Sequence, residues 1–323
     1  MCLQELLANF YIGALTANLI SLGDKLGLYA ALKHHGPCTA AELAKHQGLN
    51  ARYISEWLRQ QASARVISTD EAAEKYWLTQ AQQDCLVHES GSDASPFYSA
   101  GGFMAVPGLA KMADERLPTC FKDGSGISYN EIDPSVTCGT CRELGVWLRH
   151  SLVPSLRGMP GMEAKLEKGC KVADVGCGCG EALLTVAAAF PSSTFHGYDI
   201  SEDALRSAKA EAGSRGLTNL VMTHDAIHDM AHPQKVMAAV RKAVATDGHA
   251  ANVHSHPLAA YMYGFSCHLC LPSGMSAPGG AALGTLGIPA GEMCRMMKEA
   301  GFGSAEVLDW DHPWNRQASA CSN

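Results

Sequence analysis

The 323-residue chain has no excess of positive charge: 25 lysines and arginines stand against 32 aspartates and glutamates, a formal net charge of -7. Without a positive field the protein as a whole is not drawn to nucleic acid or to an anionic membrane. It also lacks a run of apolar residues long enough to span a bilayer. Its apolar start, MCLQELLANFYIGALTANLISLGDKLG, is interrupted by Glu5 and Asn9 and has no basic flank, which speaks against a signal peptide. Apolar residues recur there at helical spacing, so an amphipathic helix is expected. No internal repeat or low-complexity tract stands out. The 13 cysteines are odd in number and scattered, unlike a secreted disulfide framework, so reduced thiols in a cytoplasmic protein are expected. Two CxxC pairs, Cys138/Cys141 and Cys267/Cys270, lack the spacing of a zinc ribbon, and no metal is expected.

What is present fits a globular chain of more than one domain, with 47% hydrophobic and 18% charged residues. Residues 1–33 read as two helices. Thr39 with Glu42 forms a capping-box pattern, Gly48 ends that helix, and Asn50 opens another. With strands expected at Val66–Ile67 and Tyr76–Leu78, residues 15–80 read as a winged helix-turn-helix. Residues 83–168, rich in Gly, Ser and Pro clusters, read as a connector with helices near 101–114 and 142–157. From Gly169 strands alternate with helices of about a dozen residues, the pattern of a parallel, doubly wound sheet. The expected organisation is thus 1–82, 83–168 and 169–323.

The most informative segment is a strand ending in Asp174-Val-Gly176-Cys-Gly178-Cys-Gly180 that runs directly into a helix. Glycines let backbone approach a ligand, and a helix start offers unpaired N–H groups. The spacing is G-x-G-x-G, not the G-x-G-x-x-G of dinucleotide enzymes. Glu181 follows, poor company for a phosphate and tolerable near a cation. A second strand ends in Tyr198-Asp199, 19 residues after Gly180, where a carboxylate can accept two ribose hydroxyls.

VADVGCGCG followed by FHGYDIS resembles the first two motifs of class I S-adenosylmethionine-dependent methyltransferases. HDAIHDMAHP, DGHA and MMKEAGFGSAEV resemble later parts of that domain. The likeness is closer to the small-molecule subgroup with an N-terminal winged-helix dimerisation domain. It implies a Rossmann-like α/β fold preceded by an all-α, winged-helix domain, S-adenosyl-L-methionine as cofactor, a small-molecule acceptor and a homodimer. It further implies that Asp174, Gly176, Gly178 and Gly180 line the methionine part and that Asp199 holds the ribose. Tyr198 and Ile200 would flank the adenine, with Asp225 and Ala226 beside the cofactor. The chain departs from that pattern in one respect: only 26 residues separate Asp199 from Asp225, room for one helix and one strand, so the sheet is expected to be short of strands.

Methyl transfer needs alignment and, for a hydroxyl or amine acceptor, a base. His228, beside Asp229, is the expected catalytic base; His224, His254, His256 and His268 are lesser candidates. Tyr261, Met262, Tyr263 and Phe265 are candidate acceptor-pocket walls, although residues at such spacing more often form simple core. Two other readings compete. One is a cofactor-binding homologue impaired in turnover; the other is a winged-helix regulator reading DNA through Arg52, Arg59, Gln60 and Gln61. The acidic wing at Asp70, Glu71 and Glu74 would repel phosphate, so no nucleic-acid partner and no membrane partner are expected.

Overall fold

The computed structural model describes residues 2–91, 93–159, 161–199, 201–219, 259–278, 280, 282, 294–295, 298, 304–308 and 317–321. Two compact units emerge: Met1–Ala110 with Asp133–Ser155, and Lys111–Ile132 with Leu156–Asn323.

The first unit opens with α1 (Leu3–Lys25), α2 (Leu28–His35), α3 (Ala40–Gln47) and α4 (Ala51–Ser63). The caps foreseen in the sequence form: Thr39 accepts from the Glu42 N–H while Glu42 reaches back, and Asn50 accepts from the N–H groups of Arg52 and Tyr53. Leu28, Leu32, Leu43, Ile54, Trp57 and Leu58 fill the core between these helices. Trp57 packs against Tyr29 with ring centroids 5.4 Å apart, and its indole N–H donates to the Leu19 carbonyl at 2.9 Å. Gly23 permits this approach, because a Cβ there would lie 2.4 Å from the Trp57 ring.

The α1 helix differs from expectation in two ways. It is apolar on most of its circumference, with no single stripe. Leu19, Ile20 and Gly23 turn into the domain, whereas Leu3, Leu7, Phe10, Tyr11, Leu15 and Leu22 are exposed on other faces. It is also long and apolar enough, by length and composition, to cross a membrane, with a mean hydropathy of 1.4 over its best window. Glu5 and Asn9 interrupt the apolar run without lowering its average enough to exclude that length test.

The wing pairs Ser68–Thr69 (β1) with Tyr76–Trp77 (β2), antiparallel. The first strand starts beyond the expected Val66–Ile67, because Ile67 marks burial in the core and not ladder pairing. After α5 (Gln80–Leu86) and a 3-10 turn at Ala100–Met104 comes α6 (Ala105–Glu115), which runs from the first unit into the second. The helix expected from 142 begins earlier, as α8 (Pro134–Trp147), because Asp133 caps it and Pro134 suits its first turn. It continues through a wide turn at Leu148–Leu152 into α9 (Val153–Gly158).

An ion-pair clamp ties this unit together. The Arg142 guanidinium donates to Asp24 Oδ2 at 2.6 Å, to both Glu89 oxygens at 2.6 and 2.7 Å, and to the Tyr98 hydroxyl at 2.6 Å.

In the second unit α7 (Leu117–Asp123) and α10 (Met162–Lys168) precede β3 (Lys171–Val175), α11 (Glu181–Ala189), β4 (Thr194–Tyr198) and α12 (Glu202–Ser214). β3 and β4 pair in parallel from Lys171↔Thr194 to Val175↔Tyr198, the first βαβ turn of a doubly wound sheet. Ala182, Leu183, Leu184, Val186 and Ala187 bury most of α11. The buried Ser193 hydroxyl donates to the Leu166 carbonyl at 2.6 Å and accepts from the Cys170 N–H at 3.0 Å, which fixes where β3 begins. Further along lie α13 (Ala259–Phe265) and a hairpin, β5 (Ser304–Leu308) with β6 (Gln317–Cys321).

Candidate functional site

The glycine loop joins the end of β3 to the start of α11. Gly176, Gly178 and Gly180 all have positive φ, +88°, +51° and +78°, a backbone that side-chain-bearing residues resist. That requirement explains the G-x-G-x-G spacing without reference to any ligand. Asp174, at the base of the loop, is 1% exposed. Gly180 caps α11, with Ala208 of α12 so near that a Cβ at 180 would sit 2.8 Å from the Ala208 methyl.

The tip of β4 holds the loop in place. The Tyr198 carbonyl accepts from the Cys177 N–H at 3.1 Å. Asp199 accepts from the Gly178 N–H at 2.7 Å through one carboxylate oxygen, and from the Ser201 N–H at 2.8 Å through the other. A carboxylate has about four acceptor positions, so both oxygens keep capacity for hydroxyl donors. The Tyr198 ring beside it is 56% exposed. Strand tip, acid and glycine backbone therefore meet at one place, and this donor and acceptor set suits a nucleoside with free ribose hydroxyls. Glu181 begins α11, and the Arg215 guanidinium lies 3.5 Å from its carboxylate.

Sequence reasoning brought Asp174, Gly176, Gly178, Gly180, Tyr198 and Asp199 to this site, and the structure brings the same six together. Ile200, Asp225, Ala226 and the base candidate His228 lie outside the described residues, as do His224, His254 and His256. His268 is described; a ring nitrogen lies 2.8 Å from the Gly264 carbonyl. Tyr261 and Phe265 pack against each other in α13, their rings tilted by 47° with centroids 4.9 Å apart. A cleft of about 520 Å³ lies just beyond that helix, lined by Asp123, Ser125, Met275, Ser276 and Pro278. At Gly126 in its lining a Cβ would lie 2.2 Å from the backbone at Met275 and Ser276, which leaves no room for a side chain.

The residues proposed as a DNA reader are arranged otherwise. Gln61 is fully buried and accepts from the Tyr29 hydroxyl at 2.6 Å; Gln60 donates to Thr16 at 2.8 Å. Arg52 and Arg59 both pair with Glu56.

Comparison with known proteins adds the following. The Rv2258c-like winged HTH domain family matches residues 14–88, and a methyltransferase domain family matches residues 166–301. No curated protein matches the chain significantly by sequence. Among solved structures, PigF with SAH is similar over 100% of both chains, with a TM-score of 0.72 at 15% identity. An O-methyltransferase family protein from Burkholderia thailandensis is similar over 100% of this chain and 99% of its own, with a TM-score of 0.69 at 12% identity. Human N-acetylserotonin methyltransferase in complex with SAM gives 0.65 at 12% identity, over 99% and 98% of the two chains.

Proposed function

We infer, from the match of residues 14–88 to the Rv2258c-like winged HTH family and of residues 166–301 to a methyltransferase domain family, an S-adenosylmethionine-dependent methyltransferase acting on a small molecule. The observation that carries the reading is the Asp199 carboxylate, which grips the glycine loop through Gly178 and keeps acceptor capacity on both oxygens. The similar structures solved with SAH or SAM support the same cofactor.

When bound, S-adenosylmethionine supplies a methyl group activated by its sulfonium. The chain's part is alignment. Gly176, Gly178 and Gly180 offer close backbone to the methionine portion, with Asp174 beneath them. Asp199 would accept from the ribose and Tyr198 would flank the adenine; the sequence likeness assigns Ile200, Asp225 and Ala226 to the cofactor as well. His228 takes the proton from a hydroxyl or amine acceptor as it attacks. The exposed apolar faces of α1 are covered by a second copy in a cytoplasmic homodimer, since an open apolar surface of this extent marks an interaction site.

Calorimetric titration with S-adenosylmethionine and its demethylated product should show one site per chain, and a screen of small acceptors with methyl-labelled cofactor should transfer label. No binding of either ligand at millimolar concentration would overturn the reading. A second reading is favoured by the 26-residue interval between Asp199 and Asp225: a homologue that binds the cofactor without turnover. Binding with no labelled product across the screen would select it. DNA recognition fits poorly, because Gln60 and Gln61 are engaged inside the domain and Glu56 neutralises part of the charge of Arg52 and Arg59.

A further inference from the structure

The first CxxC pair, Cys138 and Cys141, lies on α8, which is α-helical without a break from Pro134 to Trp147. Residues three apart on such a helix project from one face, with Cβ atoms about 5–6 Å apart. Cys138 is exposed and Cys141 half-buried, so the pair is reached from solvent. The two thiols also feel each other: partial burial pushes the Cys138 thiol up, and the neighbouring Cys141 adds to that. The helix beneath them is fixed. Val136 and Gly139 are buried, a Cβ at Gly139 would lie 2.6 Å from the Ala105 nitrogen, and Arg142 is held in the clamp with Asp24 and Glu89. The second CxxC pair is built differently: it lies in the π-helical stretch Ser266–Cys270, and Cys270 is only 5% exposed.

We propose that Cys138 and Cys141 form a dithiol site for a trivalent arsenical that carries one carbon substituent. The helical spacing decides what the pair can hold. A disulfide needs Cβ atoms about 3.5–4.5 Å apart, closer than an intact helix brings them. A bridging atom removes that limit. At about 2.3 Å per bond to a thiolate, two sulfurs on one centre sit roughly 4 Å apart, a span that side chains on one helix face lean inward to meet. A centre that needs more sulfurs is not served, because among the described residues no group of three or more His, Cys, Asp or Glu could hold a metal ion. Singly substituted trivalent arsenic is complete with two thiolates. The step is a condensation: R–As(OH)2 and two thiols form two As–S bonds, each S–H proton leaves with a hydroxyl as water, and arsenic stays trivalent. A thiol kept in its protonated form, as at Cys138, brings the proton that leaves in this way.

The test is titration of the full chain with phenylarsine oxide in a phosphine reductant, read by intact mass and by peptide mapping of the thiols it shields from N-ethylmaleimide. One arsenical should shield Cys138 and Cys141 together, resist glutathione and come off with a dithiol such as dimercaptopropanol. Cys138→Ser or Cys141→Ser should weaken that adduct on the order of a hundred-fold, the gain that a second attachment within one chain supplies. The double variant Cys141→Ser/Thr140→Cys keeps two thiols but turns one to another face of the helix, and it should not restore the adduct. Thermal unfolding without arsenical should match the parent in each variant, which keeps folding apart from ligation. An arsenical mapped to other cysteines while Cys138 and Cys141 stay open to N-ethylmaleimide would overturn the proposal. So would full binding in either serine variant or in the double variant. A Cys138–Cys141 disulfide formed by glutathione disulfide in the folded chain would refute the spacing on which it rests.

Discussion

Replacing Asp199 with alanine removes contacts of two kinds at once, two N–H bonds inside the protein and the proposed bonds to the ribose. The carboxylate takes N–H donors from Gly178 and Ser201 at 2.7 and 2.8 Å. Hydrogen bonds to a charged group contribute about 1.5–3 kcal/mol each, and the half-exposed position argues for the lower figure. Two ribose hydroxyls lost at about 1.5 kcal/mol apiece amount to roughly 3 kcal/mol, on the order of a hundred-fold in Kd. Asp199→Asn should fall between, about ten-fold, since one amide oxygen still accepts while the amide nitrogen confronts an N–H donor. Calorimetry with S-adenosylhomocysteine gives the affinities, and thermal unfolding without ligand reports the loop contact separately. The ribose assignment is sharpened by an analogue lacking both hydroxyls. If Asp199 binds them, the substitution and the analogue should each weaken binding, and their combination should weaken it little further. Fully additive losses would refute the ribose contact. A Kd within two-fold of the parent would refute the site.

Other substitutions probe the frame around that site. Gly180→Ala forces φ near +78° on a residue with a Cβ and presses it to 2.8 Å from Ala208, so a loss of about 1–2 kcal/mol from backbone conformation alone is expected in urea unfolding; unchanged stability would mean the loop relaxes freely. Arg142→Met leaves Asp24 and Glu89 facing each other without their cation and should destabilise the chain by about 2–4 kcal/mol; less than about 0.5 kcal/mol would class the clamp with ordinary surface pairs. At the wing, N–H groups of Lys75 and Glu74 hold the Asp70 carboxyl below the usual carboxylate range. A lowered native value stabilises above the unfolded pKa of about 3.9 and is lost as pH falls through the native one. Asp70→Asn should therefore flatten the acid end of the Tm-against-pH curve, and identical curves between pH 2 and 6 would contradict this.

The parts legible in the sequence are those in which backbone geometry dictates residue type. Gly176, Gly178 and Gly180 were visible because positive φ selects glycine, and Thr39 and Asn50 because orphan N–H groups at helix starts select short polar side chains. Asp199 was visible as an acid at a strand tip, but its grip on Gly178 was not. Side-chain destinations escaped the reading. Gln61 looked like a surface residue until Tyr29, 32 positions away, drew it inside. The Arg142 clamp gathers residues 24, 89 and 98, and such distant ion pairs leave no local periodicity. The α1 helix misled because its inner and outer apolar faces overlap in one helical pattern.

That second face of α1 has a consequence for handling the protein. If a second copy covers Leu7, Phe10, Tyr11 and Leu15, as proposed above, mass action enters the folding equilibrium. The melting temperature should rise as the protein is concentrated and fall on dilution. Assays at nanomolar enzyme would then sample a weaker species than those at micromolar, and specific activity would decline on dilution even with the cofactor site intact.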